Sequence, residues 1–305
     1  MENGNPLVSV IMSTYNESEC ELSASIDSIL SQSYKNIEFL IVNDNPKNET
    51  LRSVLNKYLL QDDRIIILEN LENIGLVNSL NKAILHSRAN YLARMDADDI
   101  AKPERIQQQM AFMNANNLDL VGGFFNLIDE NGTSLNQTVT VPVKHHQICK
   151  DIRWRSCIPH PTWLVRREVY ETLGGYRQIP YAEDYDFILR LLKTNYKVGN
   201  VPCVVLDYRV RPSGISVSNS LKQDAVQNYL AENRRNIQSI TEEMVAEIIV
   251  DSQNPFYLYI DKKNAMKNAL KSKHLSNICI YGFSLILDKY FWLWFAKKLR
   301  YVICR

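Results

Sequence analysis

What these 305 residues lack narrows the field first. The six cysteines (Cys20, Cys149, Cys157, Cys203, Cys279, Cys304) are scattered, with no Cys-x-x-Cys pair. That pattern argues against a zinc site or a disulfide framework and leaves reduced thiols in a cytosolic protein as the expectation. Charge of one sign is also missing. Lys and Arg number 35 against 34 Asp and Glu, a net of +1, so no nucleic-acid partner is expected. Residues 7–20 contain no glycine, which removes a Gly-rich phosphate loop after the first apolar run. There is no internal repeat and no low-complexity linker. Residues 1–6 are short and polar and run straight into a strand pattern, with nothing like a secretory leader.

What is present is organised around Tyr91-Leu92-Ala93-Arg94-Met95-Asp96-Ala97-Asp98-Asp99. A short apolar run ends in three carboxylates within four residues. The run predicts a buried strand, the acids the turn at its C-terminal end, and Pro103 the opening of a helix. Crowded carboxylates repel one another, so a positive partner is expected. A divalent cation with oxygen ligands, Mn²⁺ or Mg²⁺ holding a diphosphate, fits so small a set of protein groups. A solvated acidic turn capping the next helix is the plainer alternative.

Before this stretch, apolar runs at 7–12, 37–42 and 65–68 alternate with amphipathic segments carrying Leu22, Ile26 and Ile29, then Leu51, Val54 and Leu55, then Leu80, Ala83 and Ile84. Continuous apolar strands separated by amphipathic helices imply an α/β fold with a mostly parallel, Rossmann-like sheet and helices on both faces. Ligands in such sheets bind beyond the strand C-termini. Three polar clusters fall there: Ser13-Thr14-Tyr15-Asn16, Asn43-Asp44 and Asp96 to Asp99. Beyond Asn117 the pattern predicts strands over 118–128, 162–165 and 201–209, a hairpin turn at Asp129 to Gly132, and a helix entered at Tyr181-Ala182-Glu183-Asp184. From Leu221 onward the chain reads as helical.

Assembled in order, Val8 to Asn16, Glu38 to Asp44, Asn73-Ile74-Gly75, Asp96 to Asp99, His160-Pro161, Gly174-Gly175-Tyr176 and Glu183-Asp184 resemble a family 2 glycosyltransferase of the GT-A fold over residues 7–215. The flavour is that of bacterial enzymes extending capsule, O-antigen or exopolysaccharide units. The resemblance implies an inverting transfer from a UDP-sugar donor to a glycan acceptor on a lipid carrier. It puts Ser13 and Tyr15 at the nucleotide base, with Asn16, Asn73 and Gly75 in the same binding edge. Asp44 accepts the base N–H, and Asp96 lies near the ribose. Asp98 is the first candidate metal ligand and Asp99 the second. Asp184 matches the catalytic base, with Glu183 its acidic neighbour. Asp44 also fits a helix cap, Glu183 a helix N-terminal acid, and His160 is read as a packed structural histidine.

Departures from the family pattern matter. Asn43-Asp44-Asn45-Pro46 stands where Asp-Asp-Gly-Ser is usual, and Ser79-Leu80-Asn81 where Ala-Arg-Asn is frequent. Tyr208-Arg209-Val210-Arg211 replaces a run that often ends in histidine. An arginine stays protonated and cannot ligate a metal, so Arg211 is expected on the diphosphate instead. The Gln-x-x-Arg-Trp motif of the membrane-spanning polymerases is absent, which points to transfer of a single sugar. A nucleotidyltransferase would want the missing Gly-rich loop, and a decayed nucleotide-binding protein would not be expected to keep Asp98, Asp99 and Asp184.

The domain reading is a catalytic part over 1–220 and a helical region over 221–305. From Lys271 to Arg305 seven basic residues accompany one acid, which leaves the first 270 residues at −5. Apolar residues 278–287 and the aromatic run Tyr290 to Phe295 are interrupted by Asp288 and Lys289. Two charges mid-span disfavour a crossing helix. The expectation is an amphipathic helix on the inner face of the cell membrane, with aromatics at headgroup level and basic residues on anionic lipid.

Overall fold

The computed structural model describes residues 5–211, 219–251, 255–272 and 275–292. The first half alternates as its periodicity predicts: β1 (Val8–Thr14), α1 (Glu19–Leu30), β2 (Ile37–Asn43), α2 (Glu49–Gln61), β3 (Ile65–Glu69), α3 (Gly75–His86) and β4 (Tyr91–Asp96). Every residue of β2 is buried, as a central parallel strand covered on both faces requires. Side chains alternate across the sheet. Val8, Val10 and Met12 pack in one cluster with Leu22, Ile26 and Ile29 of α1. The intervening Ile11, Leu40 and Val42 are also fully buried, and α3 packs along β1 and β2.

The later elements are β5 (Ile100–Ala101), α4 (Arg105–Ala115), β6 (Leu120–Ile128), β7 (Ser134–Val139), α5 (His145–Asp151), β8 (Leu164–Arg166), α6 (Arg167–Leu173), α7 (Glu183–Leu191) and β9 (Val198–Arg209). The sheet runs β3-β2-β1-β4-β8-β6-β9-β5, with β7 on β6. It is parallel from β3 to β4 and mixed beyond, because β8 is antiparallel to both β4 and β6. The strand pattern at 162–165 resolves into a single turn of 3₁₀ helix, His160–Thr162, followed by β8. Strand β9 begins earlier than expected, at Val198. Two-residue β5 is too short for any periodicity to announce, yet it matters below.

Strand order reverses between β1 and β4, since β2 and β3 lie on the other side of β1. That switch point opens a crevice beyond the strand C-termini. Ser13 is in register with Asp96, Thr14 with Asn43, and the Asp44 N–H donates to the Thr14 carbonyl at 2.9 Å. The three polar clusters therefore share one edge.

The chain separates into two compact units. One comprises residues 1–152, 156–178 and 183–218, the other 153–155, 179–182 and 219–305. The second unit carries α8 (Ser220–Glu232), α9 (Glu242–Val250), α10 (Pro255–Ser272) and α11 (Leu275–Ile286). Its small core gathers Ala225, Phe256, Tyr259, Leu285 and Tyr290. Asp288 and Lys289 are paired inside this unit, with Lys262 at 3.0 Å and Glu232 at 3.2 Å. Ile280, Phe283, Leu287 and Trp292 stay exposed. No helix among the described residues is long and apolar enough to cross a membrane. The distal tail, including Lys297, Lys298 and Arg300, lies outside the described residues.

Candidate active site

Period two along β4 puts Arg94 and Asp96 on one face. The Arg94 guanidinium, 3% exposed, grips both carboxylate oxygens of Asp96. The chain then turns, and antiparallel pairing of β5 with β9 brings Arg209 against the turn. The Arg209 backbone N–H donates to Asp99 Oδ1 at 2.8 Å, and its Nε donates to the Asp98 carbonyl at 2.7 Å. Arg209 also donates to the Asp129 and Glu130 carbonyls, so one side chain ties the acidic turn to the hairpin.

The carboxylate oxygens of Asp96, Asp98 and Asp99 lie within 4.8 Å of one another. At that spacing, and with an effective dielectric of about 20, each like-charge pair repels by about 3 kcal/mol. Burial pushes Asp98 up to about 6, reinforced by the charge of Asp96 and opposed by Arg211. Asp99, buried and facing both neighbours, is held well above the usual carboxylate range. Its Oδ2 is buried with no hydrogen-bond partner. An orphaned carboxylate oxygen among close carboxylates suits a hard divalent cation, so these residues fit the metal that the sequence suggested.

Arg211 lies at the mouth of this turn. Its Nη2 is 2.9 Å from Glu21 Oε1 and 3.0 Å from Asp98 Oδ2. Although the charges touch, the buried Nε and Nη2 make no aligned hydrogen bond. Glu21 is fixed from behind, because its Oε2 accepts from the Ser18 N–H at 2.9 Å and hydroxyl at 2.7 Å in the capping box of α1.

Along the nucleotide edge, Tyr15 is 46% exposed, an aromatic ring at the rim. The Glu17 carboxylate accepts from the N–H groups of Tyr15 and Asn16 and from the Thr14 hydroxyl, which fixes the loop backbone. Asp44 is buried. Its Oδ1 accepts from Asn70 Nδ2 at 2.8 Å and the Ile74 N–H at 2.9 Å, and its Oδ2 accepts from the Gly75 N–H at 3.0 Å. The helix it holds is α3, not α2 directly after it, which Asn48 caps. Three accepted bonds leave about one of a carboxylate's roughly four acceptor positions. Asn73 Oδ1 accepts from the same Gly75 N–H, and Gly75 sits at φ +82°, so Asp44, Asn73 and Gly75 form one turn.

Glu183 and Asp184 open α7. Each keeps some accessible surface, but protein encloses most of both. Burial pushes Glu183 up to about 7, with Asp184 adding repulsion. Burial also raises Asp184, against its 2.6 Å bond from the Tyr185 N–H and the pull of Arg94. The charges of Arg94 and Asp96 reach both acids. Beside Arg94 lies an aromatic cluster. His160 Nε2 is 2.8 Å from the Tyr176 hydroxyl, and the His160 ring packs 4.5 Å from Trp163. Burial, with Arg94 nearby, holds His160 well below its ordinary range, hence neutral. Asn81 clamps the Tyr176 backbone through its N–H and carbonyl, both at 2.9 Å. A Cβ on Gly175 would stand 2.5 Å from Asn81 Oδ1, which is why glycine precedes Tyr176.

Four residues here escaped the sequence reading: Arg94, Glu17, Glu21 and Arg209. Arg94 carried a signal, a charge inside an apolar strand two residues before an acid. Glu21 is an acid in the first turn of α1 and Arg209 the last residue of β9, positions that carry no sequence signal of the site.

Residues 9–174 match the profile of Glycosyl transferase family 2. An uncharacterized glycosyltransferase of Methanocaldococcus jannaschii is 35% identical over 229 residues, 75% of this chain and 79% of the relative. The O-antigen biosynthesis glycosyltransferase WbnJ of Escherichia coli is 32% identical over 67% of this chain and 80% of its own length. WfgD of Escherichia coli, a UDP-Glc:alpha-D-GlcNAc-diphosphoundecaprenol beta-1,3-glucosyltransferase, is 30% identical over 74% of this chain and 88% of its own. Among solved structures, the mannosyltransferase PcManGT from Pyrobaculum calidifontis, in complex with GDP-Man and Mn²⁺, superposes with a TM-score of 0.62 at 19% identity. That match covers 97% of this chain and 85% of the neighbour and carries the GT-A fold.

Proposed function

The chain belongs to glycosyl transferase family 2, and from that premise we propose that it moves one sugar, with inversion, from a UDP-sugar to a hydroxyl of a lipid-carried glycan during surface polysaccharide assembly. The observation that carries this reading is the convergence of Asp96, Asp98 and Asp99 around an orphaned carboxylate oxygen, a turn fit for a cation at the ends of the parallel strands. Relatives that build O-antigen and glucosylate a lipid diphosphate acceptor support the acceptor class, and WfgD supports UDP and a β-linkage.

Asp184 takes the acceptor hydroxyl's proton as that oxygen attacks the anomeric carbon, help typically worth about 10²–10⁴-fold. The UDP leaves from the opposite face, so an α-linked donor gives a β-linked product without a covalent intermediate. Mn²⁺ or Mg²⁺ held by Asp98 and Asp99 would neutralise charge on the departing diphosphate. Tyr15 stacks on uracil, with Ser13 and Asn16 beside it. Asp44 offers its remaining acceptor position to the base N–H, within the turn of Asn73 and Gly75. Asp96, steadied by Arg94, takes the ribose, and Arg211 takes the diphosphate. The exposed apolar row of α11 and the basic residues beyond it support a seat for the second unit on the cytoplasmic membrane surface.

The test is calorimetry with UDP- and GDP-sugars, with and without Mn²⁺, followed by acceptor-dependent UDP release and anomeric analysis of the product. Tight metal-dependent binding of UDP-sugars and a β-linked product are expected. Preference for GDP-sugars, or retention of configuration, overturns the reading. Flotation on anionic liposomes of the full chain against a version ending near Lys273 tests the membrane seat, and equal flotation of the two removes it.

A further inference from the structure

We propose that Glu21 and Arg211 couple the metal to the nucleotide: Glu21 is a positioning residue that holds Arg211 on Asp98, where the guanidinium competes with the divalent cation until a diphosphate draws it away. This deepens the metal reading at Asp98 and rests on it. Asp98 Oδ2 is the oxygen that Arg211 Nη2 approaches at 3.0 Å, and its carboxylate is one of the three that converge on the candidate metal position. Two cations on one carboxylate repel, so metal alone must contend with the arginine.

Three features make the arginine movable yet captive. Its Nε and Nη2 donors are buried without an aligned acceptor, so the contact with Asp98 leaves its hydrogen-bonding fork unused. A diphosphate matches that fork and offers bidentate bonds. Glu21 cannot follow, because Ser18 grips its other oxygen with both N–H and hydroxyl, leaving Oε1 fixed 2.9 Å from Arg211. Arg211 can thus leave Asp98 and remain tethered beside it. Metal and nucleotide then bind with positive coupling, which linkage makes reciprocal.

The experiment titrates full-length protein with Mn²⁺ alone and with Mn²⁺ at saturating UDP, followed by calorimetry and by the electron paramagnetic resonance of free Mn²⁺. Wild type should bind Mn²⁺ about tenfold tighter when UDP is present, within the range common for coupled sites. Arg211→Gln should tighten Mn²⁺ alone by several-fold while weakening UDP, so the coupling shrinks to what the metal and diphosphate share directly. Glu21→Gln, which keeps the arginine but loosens it, should move Mn²⁺ alone in the same direction by less. Long-range repulsion between the guanidinium and the metal is screened by salt, whereas direct competition on one carboxylate persists, so the Arg211→Gln gain should survive at 0.5 M NaCl. In the Asp98→Asn background, removing Arg211 should have no effect on Mn²⁺. Unchanged or weaker binding of Mn²⁺ alone by Arg211→Gln, or a gain that salt abolishes, overturns the proposal. If Asp98→Asn alone leaves Mn²⁺ affinity intact, the metal reading itself falls, which separates the two failures.

Discussion

The Asp96 to Asp99 turn and Glu183-Asp184 are both crowded carboxylates, and burial raises the proton affinity of Asp98 and Asp99 in the one and of both acids in the other, yet their surroundings differ. The turn is laced with arginines: Arg94 on Asp96, Arg209 on the Asp98–Asp99 backbone and Arg211 on Asp98. The helix pair has no arginine in contact among the described residues, and only backbone N–H groups and the reach of Arg94's charge oppose its dehydration. On the proposed reading, the cluster held by arginines around an orphaned oxygen receives a further cation, and the pair enclosed without an arginine exchanges a proton. Replacing one acid in each group tests that division of labour.

The largest effect is expected at the pair. Asp184→Asn should lower kcat by about 10²–10⁴-fold while UDP-sugar affinity, read by calorimetry, stays close to wild type. A variant keeping more than about a tenth of wild-type kcat would move the base elsewhere. In the wild type, kcat/KM should climb with pH through a limb above the ordinary carboxylate range, because burial raises Asp184 and lifts Glu183 to about 7. An acid whose folded value is raised binds more protons folded than unfolded in the window above about 4, so its contribution falls as pH rises through that window. Asp184→Asn removes that penalty. At pH 8 the variant should therefore melt higher than wild type while being inactive, and a lower Tm there would contradict the dehydration argument.

Next comes the turn. Asp98→Ala should abolish the gain in UDP affinity that Mn²⁺ confers, a loss of about tenfold or more given typical coupling between linked sites. Undiminished Mn²⁺-dependent affinity, measured by calorimetry, would sink the metal assignment. If the two groups divide the work as argued, Asp98→Ala moves binding and Asp184→Asn moves turnover. Variants that move both equally would erase the distinction.

The parallel half of the fold was legible because its signals are local. Apolar runs alternate with amphipathic helices, and acids and amides sit at strand ends. The mixed half was less so, since β8 is three residues long, β5 is two, and both exist through partners distant in sequence. Among candidate site residues, Asp96, Asp98 and Asp99 announced themselves by crowding, whereas Asp184 was reached only through the resemblance. Of the cations around them, only Arg211 was singled out. Arg209 reaches Asp99 from 110 positions away, and Arg211 meets Glu21 only after the sheet has formed. His160 was read as a packing residue, and its ring does lie in the Trp163–Tyr176 cluster.

Arg94 links the two groups, so its removal should disturb both. Arg94→Met leaves Asp96 without its fork and the Glu183–Asp184 pair without a nearby positive charge. A loss of about tenfold in kcat/KM is expected, equivalent to about 1.4 kcal/mol of transition-state stabilisation. The acid limb of the pH profile should move upward, because the charge that favours ionised Asp184 is gone. Arg94→Lys should restore the limb more than the rate, since it returns the charge but not the planar fork. An unmoved limb in Arg94→Met would confine Arg94 to holding Asp96.

The smallest effect on the nucleotide is expected at Asp44, where two readings share one side chain. Three backbone and amide donors around α3 depend on its carboxylate, so Asp44→Ala should lower stability by about 1–3 kcal/mol whatever else it does. If its remaining acceptor position also meets the base N–H, UDP affinity falls as well. That fall should be only a few-fold, roughly one hydrogen bond's net worth of about 1 kcal/mol. Asp44→Asn sharpens the comparison. It keeps one oxygen for the α3 donors but presents an amide to the other side, so stability should recover more than affinity. Calorimetry at a temperature well below the variant's Tm separates binding from folding. UDP affinity equal to wild type in Asp44→Ala would leave Asp44 as a tie for the Asn73–Gly75 turn alone.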